Sequence, residues 1–124
     1  DSYPIHVVID KQALLDAIKR VSLVAERNAP IRMVFAGQEL TLSAGAADEA
    51  SANEILDVDL DGEDITVAFN PNYLRDGLSA ITEPFVRMKM TTAIKPVEFN
   101  GQQEADSEES LAYRYLLVPM RFGN

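Results

Sequence analysis

Val7-Val8-Ile9-Asp10-Lys11-Gln12-Ala13-Leu14 and, sixty positions later, Val67-Ala68-Phe69-Asn70-Pro71-Asn72-Tyr73-Leu74 are one passage written twice. Each has three apolar residues, then a side chain able to cap a helix, then the start of a helical stripe. Further pairs at the same spacing are Asp16 with Asp76 and Ile18 with Leu78. The strands that follow also match, Ile31-Arg32-Met33 against Val86-Arg87-Met88. An internal repeat dictates architecture before any local propensity does. It predicts a two-fold layered α+β domain in which a βαβββ unit is duplicated. Two helices should lie on one side of a continuous sheet of about eight antiparallel strands.

The 124 residues suffice for one domain with its own core, spanning 1–124, and 47% of them are apolar. Without Cys there is no disulfide framework or thiolate site, and the reading is of a reducing cytoplasm. With His6 as the single His, a zinc site is disfavoured, and no metal or cofactor is expected. No apolar run has membrane-spanning length and no signal peptide is evident. The chain opens on Asp1 rather than Met, as an excised piece of a longer protein does.

Net charge is −9, which argues against gripping nucleic acid over the whole surface. The charges are segregated. Met33 to Leu74 holds nine acidic residues and no Lys or Arg, and Glu104 to Glu109 is a second acidic stretch. The first helix carries Lys11, Lys19 and Arg20 against Asp16.

Tyr3 to Ile9 reads as a strand, and Asp10 as the cap of a helix over Lys11 to Ala25. Leu14, Ala17, Ile18, Val21 and Ala25 form its buried stripe, which Leu23 leaves. Ile31 to Phe35 and Leu40 to Ala44 form a hairpin through Gly37. Ala50 to Leu60 reads as one long strand, and Asp61-Gly62 as the turn of a hairpin completed by Ile65 to Phe69. Asn70 caps a second helix with Pro71 at its first position and Leu74, Leu78 and Ile81 inward. Phe85 to Met90, Lys95 to Phe99 and Leu111 to Val118 are the closing strands.

Asp57-Val58-Asp59-Leu60-Asp61-Gly62 imitates the first half of a calcium loop. The twelfth position is Ala68 instead of a bidentate Glu, and the flanks read as strands, so an acidic hairpin fits better. No nucleophile turn, phosphate loop or paired catalytic carboxylates stand out, and no enzyme is expected. Gly77 reads as a close-packing position within its helix. His6 has no evident partner and reads as a satisfied structural histidine. The tail is different: Pro119 ends ladder pairing, and Met120 and Phe122 continue past it with Arg121 between. Composition leaves the tail equally a packed end or a contact surface.

With these residues in place, the chain resembles the C-terminal domain of the bacterial sliding-clamp family, the β subunit of DNA polymerase III. The resemblance lies in the duplicated unit, Phe69-Asn70-Pro71-Asn72-Tyr73-Leu74, Val86-Arg87-Met88 and the ending Tyr115-Leu116-Leu117-Val118-Pro119-Met120-Arg121-Phe122. Arg20 to Arg27 and Glu54 to Val58 fit it too.

The resemblance implies the DNA-clamp fold and a homodimeric ring of three-domain subunits around duplex DNA. Such a ring is a processivity factor that does no chemistry. It docks short motifs of polymerases, the clamp loader and other replication and repair proteins. The implied peptide pocket is lined by Asn70, Tyr73, Ile94, Pro96, Leu116, Leu117, Val118, Pro119, Met120 and Arg121. Asn28 and Pro96 depart from the family pattern. The implied DNA-facing residues are Lys11, Lys19, Arg20 and Arg75, and the implied subunit interface is Ser22, Leu23, Ser51, Ala52, Asn53, Glu54 and Ile55. A ring contact between unlike ends does not close with this domain alone, so the piece by itself should be monomeric. The alternative from a different class is a clamp-like peptide-binding domain or paralogue without a replisome role.

Overall fold

The computed structural model describes residues 3–23, 25, 29–45 and 53–120, apart from the side chains of residues 111 and 112. Strand β1 (Ile5–Asp10) leads into helix α1 (Lys11–Leu23), then β2 (Ile31–Ala36), β3 (Glu39–Ala44), β4 (Asn53–Asp57) and β5 (Asp59–Asp61). The order then repeats as β6 (Ile65–Phe69), α2 (Pro71–Ala80), β7 (Phe85–Met90), β8 (Val97–Gln102) and β9 (Glu109–Leu117).

Both helices start where the repeated cap stands. Asp10 Oδ1 accepts the Ala13 N–H at 2.9 Å. Asn70 Oδ1 accepts from the Asn72 and Tyr73 N–H groups at 2.9 and 3.1 Å. Each cap satisfies donors that a helix start leaves orphaned. The stripes fall inward as spaced: Leu14, Ala17, Ile18 and Val21 on α1, and Leu74, Gly77 and Leu78 on α2. Helix α1 ends at Leu23, short of Ala25, although Ala25 still packs on the core.

The repeat is exchanged between two sheets, where one continuous sheet was expected. Their strand orders are β5-β1-β7-β8-β9 and β4-β3-β2-β6. The first strand of each copy thus joins the later strands of the other. Val7 faces Met88 and Ile9 faces Val86 in one sheet. Val67 faces Met33 and Phe69 faces Ile31 in the other. Neither copy can complete a sheet alone, so the domain folds as one unit around a shared core in which Phe35, Phe69, Phe99, Leu14 and Leu78 are fully buried.

Two expectations change with this topology. The segment read as one strand to Leu60 splits at Val58. Its first part pairs with β3, while its second pairs with β1, Leu60 facing Val7. Gln38 holds the switch. Its carbonyl accepts the Val58 N–H at 3.0 Å, its Oε1 accepts the Leu60 N–H at 3.0 Å, and its Nε2 donates to the Leu60 carbonyl at 3.1 Å. Residues 54, 56, 58 and 60 all lean inward through the bend, so side-chain alternation gave no sign of it. Consequently Asp61-Gly62 links strands of different sheets and is not a hairpin turn. Gly62 has φ 126° there, and a Cβ would lie 2.7 Å from the Pro4 carbonyl oxygen, so glycine is required.

The tail crosses in the same way. Beyond β9, Pro119 is buried and the Met120 N–H donates to the Ala68 carbonyl of β6 at 2.7 Å.

Candidate functional site

Alternation along β9 sorts the tail into two faces. Tyr115 and Leu117 point inward, and Leu117 is 9% exposed within the core. Leu116 and Val118 point out, at 52% and 62% exposure. Leu117 and Pro119, named from sequence as pocket lining, therefore support the surface from beneath. Leu116, Val118 and Met120 form the surface itself.

Neighbouring elements add to that surface. The β8–β9 ladder ends at the pair Val97 and Leu117, and exposed Pro96 and Val118 are the next residues outward on either strand. Ile94, half exposed, lies in the loop just before Pro96. On the other side, the Met120–Ala68 hydrogen bond lays the tail across the residues that enter α2. There Asn70 spends its Oδ1 on the helix cap, and Tyr73 in the first turn is 58% exposed. Contiguous exposed large apolar side chains are uncommon on a monomer and mark contact sites, and Tyr73, Ile94, Leu116, Val118 and Met120 are the exposed candidates at this end of the domain. Arg121, Phe122 and Asn28 lie outside the described residues.

Tyr115 joins the two walls. Its hydroxyl donates to the Tyr73 carbonyl at 3.1 Å. Its ring lies on Gly77, where a Cβ would come within 2.2 Å of the ring carbons, so α2 approaches β9 at a distance only glycine permits. Burial pushes the Tyr115 phenol above its ordinary pKa, with Tyr113, Asp76 and Tyr73 adding to the effect, so the hydroxyl stays a donor. The sequence singled out Gly77 for close packing but gave no sign that Tyr115 was its partner.

The residues implied to face DNA are unequal. Lys11 is engaged at the α1 start, its Nζ donating to the Ile81 carbonyl. Arg75 donates to Asn72 Oδ1 at 2.9 Å, and Arg20 pairs with Glu54 at 2.9 Å. Lys19 is exposed and makes no ion pair among the described residues. The Arg20 hydrogen bond lowers the Glu54 pKa below its ordinary value. It also ties the end of α1 to β4, the edge of the four-stranded sheet. Leu23 and Ile55, 75% and 63% exposed, flank that clasp. Asn53 is exposed, Glu54 and Ser22 are partly so, and Ser51 and Ala52 lie outside the described residues. An unpaired edge with exposed aliphatic residues is a template for association.

The outer face of the larger sheet holds a polar network that sequence reading missed. Lys89 Nζ lies 2.6 Å from Glu109 and 3.1 Å from buried Glu98. Burial opposes the charge on Lys89, yet hydrogen bonds to Glu109 and Glu98 outweigh it and raise the pKa. Arg87 donates to Gln102 at 2.8 Å and to His6 Nδ1 at 2.9 Å, giving His6 the partner it lacked in sequence. The available signal was charge complementarity: Lys89 stands opposite Glu98 in the ladder. Among the described residues no group of three or more His, Cys, Asp or Glu could hold a metal, and no helix is long and apolar enough to cross a membrane.

Comparison with known proteins gives a consistent result. Residues 2–116 match the family described as DNA polymerase III beta subunit, C-terminal domain. A beta sliding clamp of Streptomyces coelicolor is 46% identical over 114 residues, 92% of this chain and 30% of that protein. The beta sliding clamp homolog GriR of Streptomyces muensis is 37% identical over 114 residues, again 92% of this chain and 31% of the relative. A crystal structure of the Pseudomonas aeruginosa DNA polymerase III subunit beta, bound to griselimycin, matches with a TM-score of 0.82 at 25% identity, covering 98% of this chain and 32% of that one. The chain thus spans about 30% of the length of the curated relatives it matches. The family match stops at Leu116, so the surface at Val118 and Met120 rests on the geometry itself.

Proposed function

The chain belongs to the DNA polymerase III beta subunit family, as its C-terminal domain, and from that premise we propose that it serves as one segment of a sliding clamp. In this reading the whole protein is a homodimeric ring around duplex DNA. It is cytoplasmic, acts at the replisome and catalyses nothing. It keeps the replicative polymerase, the clamp loader and repair proteins at the template by binding their short motifs. Relatives named as sliding clamps favour a ring over an isolated interaction domain.

One observation carries the docking role: Tyr73, Ile94, Leu116, Val118 and Met120 are exposed large apolar side chains, and the Met120–Ala68 hydrogen bond brings the tail to the strand that enters α2. A few apolar anchors entering such a surface, with Asn70 Nδ2 and rim backbone groups fixing direction, suit short-peptide recognition. The end of α1 and the β4 edge serve as the subunit contact. An acidic chain with few available cations suits a ring that must slide, since each phosphate contact adds affinity through released counterions. Tethering then raises the partner's local concentration without new DNA contacts.

The test is calorimetry with a synthetic hexapeptide bearing Leu and Phe anchors, with griselimycin as a second probe. Binding that weakens in both Tyr73→Ala and Met120→Ala, at unchanged melting temperature, is the expected result. Full affinity in both variants would remove the docking assignment.

A further inference from the structure

We propose that Tyr115 is a positioning residue for this docking site: it sets the spacing between α2 and the tail. The inference rests on the docking reading above and assigns a role to a side chain that does not line the exposed surface.

Four contacts converge on Tyr115. Its ring lies against Gly77, closer than any residue with a Cβ would allow. Its hydroxyl donates to the carbonyl of Tyr73, the same carbonyl that an α-helical ladder pairs with the Gly77 N–H. Its other neighbours are the stacked ring of Tyr113, at 6.5 Å between centroids, and the tilted ring of Phe99, at 6.2 Å. Phe99 in turn meets Phe69 edge-on at 5.8 Å, directly before the Asn70 cap.

Tyr115 therefore touches both walls of the site from behind. Leu116 follows it in the chain, with Val118 and Met120 beyond, so a change in its seat moves the tail. Through the Tyr73 carbonyl, it also fixes the turn of α2 whose side chain stands exposed. A ring with two stiff torsions holds such a spacing at little entropic cost. Preorganised walls lower the ordering cost of binding an extended peptide.

The experiment uses the intact protein, the hexapeptide with Leu and Phe anchors, and the variants Tyr115→Phe, Tyr73→Ala and their combination, with Met120→Ala as reference. Tyr115→Phe keeps the ring on Gly77 and removes only the hydroxyl, so the fold should hold, and melting curves verify this. The expected result is a loss of about fivefold in affinity, the scale of coupling between residues in contact. That loss should vanish in the Tyr73→Ala background, because the hydroxyl acts through Tyr73. A merely structural role would give the same loss in both backgrounds, and that result overturns the proposal. So does wild-type affinity in Tyr115→Phe when Met120→Ala binds weakly. If Met120→Ala and Tyr73→Ala both bind normally, the docking reading fails and this proposal falls with it.

Discussion

The Met120 N–H reaches the Ala68 carbonyl at 2.7 Å, and Ala68 is the sixty-residue counterpart of Val8, which stands opposite Asp59. Met120 therefore occupies in the second copy the place of Asp59 in the first. Buried Val58 and buried Pro119 mark the two crossings between sheets. The copies differ in how the crossing is finished. In the first, Gln38 closes the corner with hydrogen bonds to Val58 and Leu60. In the second, the β7–β8 loop occupies the place of the Gln38 turn and presents Ile94 and Pro96. One scaffold is used twice, with an acidic, hydrogen-bonded corner in the first copy and exposed apolar residues in the second, where docking is proposed.

Leu117 and Met120 should separate stability from binding. Leu117→Ala removes a core side chain and should cost about 2–5 kcal/mol in denaturant unfolding. Met120→Ala spares the backbone hydrogen bond and should leave stability within about 1 kcal/mol, while peptide affinity falls about tenfold. Calorimetry and urea titration on both variants read the two effects.

Gly77→Ala should be destabilising despite the better helix propensity of alanine. Its Cβ would lie 2.2 Å from the Tyr115 ring, so α2 and β9 must part. Overpacking of this kind costs about 1–3 kcal/mol. An unchanged denaturation midpoint would show that the ring swings away without cost.

Lys89 predicts a pH dependence. Its folded pKa is raised, so its stabilising contribution is fully present below the ordinary lysine value of about 10.4 and is lost as pH rises through the higher folded value. Lys89→Met should lower stability by a constant amount from neutral pH to mildly alkaline conditions, because it leaves buried Glu98 with only the more exposed Arg114 at 4.0 Å. The gap between variant and parent should narrow only at strongly alkaline pH, as followed by denaturant titrations across the range.

Duplex binding should be weak and salt-sensitive, with Lys19 contributing more than Lys11. Lys19 is exposed, whereas Lys11 is spent on the Ile81 carbonyl. In a fluorescence anisotropy titration, Lys19→Glu should weaken binding without altering melting. Lys11→Met should lower the melting temperature with a smaller effect on DNA.

The fold was largely legible because a repeat constrains both copies at once. Caps at Asp10 and Asn70 and the stripes of both helices are local chemistry. The split at Val58 was invisible, because side-chain alternation continues while the pairing partner changes. The exchange of strands between copies depends on long-range pairing that a single chain does not spell out. The proposed docking corner was less legible. Tyr73, Ile94 and Met120 are exposed, while the inward turn of Leu117 depends on the register with Val97. Tyr115 escaped notice because its role lies in a contact with a glycine 38 positions away.

Chemical-shift mapping with the Leu- and Phe-anchored hexapeptide tests the docking site most directly. On titration, the largest shifts should fall on Tyr73, Ile94, Leu116, Val118 and Met120, with His6 and Asp59 at the far end of the outer face and the β4 edge at Ile55 unmoved. Shifts centred on the β4 edge or the outer face, with Tyr73 and Met120 silent, would contradict the account.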